Sequence, residues 1–153
     1  HAAGVWTALD TSGEALVLGA QAGPDLCKPN EQEARELAGP AAPSDVSALA
    51  RAIQQMGPRR VLLTRGALGG LWADDEGLWQ AESPAIAAVN PVGAGDAALA
   101  GAVYALQAGQ APQECLRWAV AVGSAKAAAD GSTYLRHATA IDNLRSIALR
   151  RLS

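Results

Sequence analysis

The sequence predicts an α/β fold: a largely parallel sheet with helices packed on both sides, in three layers. Three observations carry that expectation. Short apolar runs bounded by turn residues alternate with longer segments of helical period. The longest helical segments are rich in Ala and Gly, which suits close packing of helix against sheet. Three of the apolar runs end in segments dense in Asp, Lys, Asn, Thr and Gly, at the strand ends where open α/β sheets place their ligands.

In chain order, Val5 to Leu9 reads as a buried strand closed by the turn Asp10-Thr11-Ser12-Gly13. Glu14 to Gln21 is a short helix stopped by Gly23-Pro24, and Leu26-Cys27-Lys28 is a second strand. Glu31 to Ala38 forms a charged-apolar helix with Asn30 as its N-cap. After the loop at 39–43, Ser44 caps a helix over Asp45 to Met56, with Val46, Leu49, Ile53 and Met56 on one face. Arg60 to Thr64 is an interior strand, followed by a glycine-rich loop from Arg65 to Gly70. Gly70 to Ala73 and Leu78 to Glu82 pair as a hairpin around Asp74-Asp75-Glu76-Gly77. A glycine turn then opens a helix running through Ala108. Pro112 to Ala129 is a second Ala-rich helix, the stretch at 130–133 is a loop, and Ala140 to Leu152 is a final amphipathic helix with Ile141, Leu144, Ala148 and Leu152 on one side.

Composition narrows the classes of function. The 153 residues suit one domain with a real core, and half of them are hydrophobic, with no Phe. Fifteen acidic residues against twelve basic ones leave a net charge of −3, which argues against a nucleic-acid or anionic-membrane surface. Arg59-Arg60 and the trio Arg145, Arg150 and Arg151 read as solvated faces. Cys27 and Cys115 lack metal-type spacing and read as buried thiols in a reducing cytoplasm. His1 and His137 show no metal pattern. No stretch is long and apolar enough for a membrane span, and no signal peptide is read.

The stretch richest in chemistry is Asn90-Pro91-Val92-Gly93-Ala94-Gly95-Asp96. Two glycines permit close backbone approach, and the helix start behind them presents N–H groups to an anion. Asp96 stands at the same end. An anion cradle beside one carboxylate is what phosphoryl transfer needs: donors for the moving phosphate and an acceptor for the proton of the attacking hydroxyl. The plainer reading of Asp96 is an acid that complements the helix dipole. Asn30 and Glu33, one helical turn apart, read either as a capping box or as hard-oxygen partners of a divalent cation.

Four stretches together resemble the phosphofructokinase-B type, ribokinase-like carbohydrate kinases. They are Leu9-Asp10-Thr11-Ser12-Gly13-Glu14-Ala15-Leu16, Lys28-Pro29-Asn30-Glu31-Gln32-Glu33, Thr64-Arg65-Gly66-Ala67-Leu68-Gly69-Gly70 and the turn from Asn90 to Asp96. The second matches the family's Asn-x-x-Glu motif, the third its Thr-x-Gly-x-x-Gly loop and the fourth its Gly-Ala-Gly-Asp signature. Asn90-Pro91 replaces the usual Asp-Thr that leads the signature. Together with Lys28-Pro29-Asn30 and the Leu9 to Leu16 stretch, that departure looks like the branch acting on hexose phosphates, such as 1-phosphofructokinases and tagatose-6-phosphate kinases, and it removes an Asp on which a monovalent-cation site would depend.

The resemblance implies a set of roles. Asp96 is the catalytic base, and Gly93, Ala94 and Gly95 form the anion hole. Lys28, Thr64, Gly66, Gly69, Gly123 and Ser124 contact the nucleotide, and Lys126 lies on the same helix bordering the adenine pocket. Asn30 and Glu33 serve Mg²⁺, with Asp10 behind them. It also implies ATP with Mg²⁺ as donor, a sugar or sugar phosphate as acceptor, and a homodimer formed through a lid. The chain then corresponds to the C-terminal, nucleotide-binding part of such a kinase over 1–153, without the N-terminal half and lid that carry most sugar contacts, and is expected to phosphorylate sugars poorly alone. Rival expectations are another sugar or nucleoside kinase, an ATP-binding module without catalysis, and a dinucleotide-binding domain; the last lacks a strand–Gly-x-Gly-x-x-Gly–helix unit.

Overall fold

The computed structural model describes residues 4–129 and 137–152. The loop expected at 130–133, His1 and the His137 side chain lie outside the described residues. In order the elements are β1 (Ala8–Leu9), α1 (Gly13–Gln21), β2 (Leu26–Cys27), α2 (Glu31–Ala38), α3 (Val46–Gln55), β3 (Val61–Thr64), β4 (Gly70–Asp74), β5 (Gly77–Ala81), α4 (Ala94–Gln107), α5 (Pro112–Ala128), α6 (His137–Ser146) and β6 (Leu149–Arg151). The strands form one sheet in that same order.

Strand alternation sorts the core into two faces. Val61 and Leu63 of β3, Leu71 and Ala73 of β4 and Leu78 of β5 pack with Leu16 of α1, Leu37 of α2 and Leu49 and Ile53 of α3. Leu62, Trp72, Trp79 and Ala81 face the other way, onto Ala98, Ala102 and Ala105 of α4 and Leu116, Ala119 and Ala121 of α5. The three-layer α/β expectation therefore holds. Glycine governs how closely the second layer packs. A Cβ on Gly101 would lie 2.6 Å from the Trp118 carbonyl oxygen, and one on Gly123 would lie 3.1 Å from both the Ala94 oxygen and the Ala98 Cβ. Small residues at these crossings let α4 and α5 lie against each other. Cys27 and Cys115 are buried free thiols, as expected, and burial raises them to about 12 and about 11.

The sheet corrects the expectation of largely parallel pairing. β1–β2 and β2–β3 are parallel, but β3–β4, β4–β5 and β5–β6 are antiparallel. Part of the difference is β6, where a continuous helix to Leu152 was expected. Apolar residues at Ile141, Leu144, Ala148 and Leu152 mimic a helical stripe, yet the helix stops at Ser146, whose hydroxyl donates to the Asn143 carbonyl at 2.9 Å. The next residues gain more by pairing with β5, which would otherwise be an open edge. Leu149 registers with Ala81, Arg150 reaches Gln80 Oε1 at 2.9 Å and the Arg151 guanidinium stacks 5.6 Å over the Trp79 ring.

Two smaller corrections follow the same logic. The first strand is only Ala8–Leu9, and Val5 and Trp6 are exposed rather than buried, because β1 lies at the sheet's edge. The cap of α3 is Asp45, not Ser44: Asp45 Oδ2 accepts the Ala48 N–H at 2.8 Å.

Candidate active site

Three strand ends and the glycine turn converge, as the alternation of elements requires. The Asn30 backbone bridges in parallel to Thr64, and the Thr64 N–H donates to the Pro29 carbonyl at 3.0 Å. This sets the end of β3 beside the start of α2. Lys28 leaves the end of β2 buried, and its ammonium lies 3.1 Å from Asp10 Oδ1 at the end of β1. The same ammonium is 3.2 Å from the point where a Gly95 Cβ would stand. One buried lysine thus links two strand ends to the turn.

The turn itself is built from local bonds. Asn90 Oδ1 accepts the Val92 N–H at 3.0 Å, and the Val89 and Asn90 N–H groups both donate to the Ala127 carbonyl, at 2.8 and 3.0 Å. Gly93 caps α4 in the left-handed region at φ +78°, a conformation that favours glycine. The Ala94 N–H is spent on the Pro91 carbonyl at 3.0 Å. The next two N–H groups, of Gly95 and Asp96, have no carbonyl four residues back within the helix. A Gly93 Cβ would lie 3.6 Å from Lys126 Cε, which puts the buried Lys126 stem beside the turn as well.

The start of α4 borders two spaces of opposite character, Gly95 lining one and Asp96 the other. The first is a cavity of about 410 Å³ lined by Thr64, Gly66, Gly69, Gly123 and Ser124, with Ala94 and Gly95 in its wall. Five of the six expected nucleotide contacts line it and Lys28 does not; the fold brings the Thr64–Gly69 loop to Gly123 and Ser124, which no local signal joins to it. The second is an open groove of about 630 Å³ that contains both carboxylates, Asp10 and Asp96, with Leu99, Val103, Tyr104 and Gln107. Asp96 is exposed to that groove.

Asn30 and Glu33 stand apart from both spaces and form a complete capping box. Asn30 Oδ1 accepts the Glu33 N–H and Glu33 Oε2 accepts the Asn30 N–H, each at 2.8 Å. The box leaves Glu33 Oε1 outside it. Next door, Glu31 accepts from Arg65 at 2.9 Å and from Arg35 at 2.7 Å, which ties the glycine loop after β3 to α2. Those bonds, Arg65 first, hold the Glu31 carboxyl below its ordinary value. Among the described residues no group of three or more His, Cys, Asp or Glu is placed to hold a metal.

The sequence did not reveal the segment from Ser83 to Pro91, which crosses the cavity without regular structure. Ser83 Oγ lies 2.9 Å from Ser124 Oγ, and Pro84, Ala85, Ile86 and Ala88 complete the wall. Its one signal was an apolar run, Ala85 to Val89, between two prolines where a loop would ordinarily be polar.

Comparison with known proteins fits this arrangement. The family model described as pfkB family carbohydrate kinase matches residues 1–138, and the chain belongs to that family. It is 39% identical over 117 residues to 1-phosphofructokinase of Escherichia coli K12, covering 75% of this chain and 38% of that protein. With 1-phosphofructokinase of Haemophilus influenzae it shares 37% over 127 residues, covering 81% and 41%. The crystal structure of phosphofructokinase-2 from Escherichia coli with substrates and products superposes with a TM-score of 0.84 at 31% identity, over 93% of this chain and 47% of that one. The chain spans less than half the length of these relatives. No helix among the described residues is long and apolar enough to cross a membrane.

Proposed function

We propose that the chain supplies the nucleotide site and catalytic base of an ATP-dependent sugar-phosphate kinase, transferring the terminal phosphoryl group to a hydroxyl of a hexose phosphate. The observation that carries this reading is that adjacent residues at the start of α4 line two different spaces, Gly95 the apolar cavity and Asp96 the groove bearing two carboxylates. The base and ribose of ATP occupy the cavity, and the triphosphate crosses the turn toward the groove. The Gly95 and Asp96 N–H groups donate to oxygens of the transferring phosphoryl group, where fixed donors stabilise developing charge without reorganising. Lys28 adds a positive charge at the same point, and Asp10 holds its ammonium there. Asp10 therefore acts on the phosphates through Lys28.

Asp96 faces the groove where the acceptor sugar lies. Its carboxylate accepts the proton of the attacking hydroxyl as the oxygen–phosphorus bond forms and the bond to the bridging oxygen of ADP breaks. Mg²⁺ neutralises charge on the donor phosphates when bound. Asn30 and Glu33 line neither space, so they would hold the ion through its retained waters, with Glu33 Oε1, outside the capping box, as the available oxygen. The 1-phosphofructokinase relatives support fructose 1-phosphate as the acceptor to try first.

The test is Asp96→Asn in the protein that carries this chain, assayed for ATP-dependent phosphorylation of fructose 1-phosphate. General-base removal lowers kcat by roughly 10²- to 10⁴-fold while ATP affinity stays within a few-fold. An unchanged kcat removes Asp96 from the chemistry.

A further inference from the structure

Two neighbouring pairs join the end of β3 to the start of α2. Asn30 and Thr64 meet through the main chain. The residues that follow them, Glu31 and Arg65, meet through side chains, with Arg65 Nε donating to Glu31 Oε2 at 2.9 Å. The other Glu31 oxygen accepts from Arg35 at 2.7 Å, and Arg35 also donates to the Pro43 carbonyl at 3.0 Å. The carboxylate is therefore held at both oxygens, one by each guanidinium. Those bonds keep its carboxyl below the ordinary value, so the pair is charged at neutral pH. The capping box fixes the helix start from which Glu31 projects.

What the pair holds is a wall of the cavity, because Gly66, Ala67 and Gly69 line it. The loop closes on itself. The Arg65 N–H donates to the Gly69 carbonyl at 2.9 Å, the Leu68 N–H to Arg65 at 3.1 Å and the Gly69 N–H to Gly66 at 3.0 Å. These bonds run within the loop and set its shape, not its place. At its far end Gly69 lies so close to the Ala81 carbonyl of β5 that a Cβ has no room. At its near end the place is set by the Thr64 N–H on Pro29 and by the Arg65 guanidinium on Glu31, whose side chains are 19% and 31% exposed. A loop already seated when a ligand arrives need not be ordered by binding, and affinity rises without a new contact.

We infer that Glu31 and Arg65 are positioning residues for nucleotide binding: their ion pair seats the loop at 65–69 on the start of α2 and keeps that wall of the cavity formed before ATP enters. The inference rests on the cavity being the nucleotide site. Titration calorimetry on the protein that carries this chain tests it, with the magnesium complexes of ATP and of inorganic tripolyphosphate. Glu31→Ala, Arg65→Met and the double variant are compared with the wild type. The wild type is expected to bind ATP at least about tenfold tighter than tripolyphosphate, because the cavity holds the base and ribose. Each single variant is expected to weaken ATP by about two- to fivefold, the range of a part-exposed ion pair, and to leave tripolyphosphate unchanged. The double variant is expected to match the weaker single one, since all three lose the same interaction. A loss confined to one single variant, or shared by tripolyphosphate, shows a residue acting on the ligand by itself. That result overturns the inference and leaves the nucleotide reading intact, as do losses that multiply in the double variant. ATP affinity unchanged in all three variants overturns it too. Equal wild-type affinity for ATP and tripolyphosphate, or binding of neither, overturns the assignment of the cavity as well.

Discussion

The cavity and the groove beside the start of α4 differ in how they are built and therefore in how they respond to change. The cavity side, among the described residues, is neutral, made mostly of Gly, Ala, Pro and hydroxyl residues with Leu62, Ile86 and Val120, contributed by β3, the loop after it, α4, α5 and the segment at 83–91. Its shape depends on backbones that approach too closely for side chains. The groove side is charged, with Asp10, Asp96 and the Lys28 ammonium set by single side chains on strand and helix ends. A site that binds by shape is inseparable from the core, whereas one that acts by charge can be emptied with the fold intact.

The sharpest way to break this contrast is a pair of glycine substitutions. Gly69 has φ +85°, and a Cβ there would stand 2.1 Å from the Ala81 carbonyl oxygen. Gly69→Ala is therefore expected to cost at least about 2–3 kcal/mol of stability, read as a lower urea midpoint with unchanged slope. Gly95 has an ordinary helical φ, and its added Cβ would meet only the movable end of Lys28 at 3.2 Å. Gly95→Ala is expected to leave stability within about 1 kcal/mol while weakening ATP binding. Equal destabilisation by both would erase the distinction between the two sides.

Lys28→Met comes next. It removes the cation at the turn but leaves Asp10 one-quarter exposed and able to hydrate. Calorimetry should show ATP affinity reduced by roughly tenfold or more, the worth of a charge-assisted hydrogen bond, with a small change in thermal midpoint. Unaltered affinity would separate Lys28 from the phosphates.

Asn30 then separates folding from metal binding at one residue. Asn30→Ala loses the cap of α2 and should cost about 1 kcal/mol. Asn30→Ser keeps a capping oxygen but shortens the reach of the side chain. If Asn30 also serves Mg²⁺, the Ser variant should recover stability while the magnesium requirement for activity stays raised. Recovery of both would make Asn30 a cap and nothing more.

The smallest effect is a pH dependence. The Glu31 carboxyl is held below its ordinary 4.5 by Arg65 and then Arg35, so its contribution is complete above that value and is lost as pH falls through the lowered folded value. Arg65→Met should flatten this limb of an acid denaturation curve slightly, since the pair is partly exposed. An identical acid limb would show the pair to be inert.

What was legible in the sequence was whatever short-range chemistry fixes. The helix Glu31–Ala38 appears with the expected bounds because its cap and its Glu are three residues apart and satisfy each other. The turn at Gly93 and the hairpin at Asp74 are local in the same sense. Asp74 Oδ1 accepts the N–H groups of Glu76 and Gly77, at 2.9 and 3.2 Å, within its own turn. The pairing of β6 with β5 was not legible, because three residues are too few to show a period and their partners lie about seventy positions earlier. Nor was the Ser83–Ser124 contact, made across 41 positions by a segment without regular structure.

The sequence by itself determined that this chain has an α/β fold, that chemistry gathers at the strand ends, and which motifs mark the family, because each rests on periodicity or on neighbours a few residues apart. Only the tertiary structure decided that the sheet is mixed, that Lys28 is the link from Asp10 to Gly95, and that Gly95 and Asp96 line a neutral cavity and a charged groove respectively. Those features depend on contacts between distant segments. Such contacts form only where a packed core holds both partners still, and no local pattern of residues encodes them.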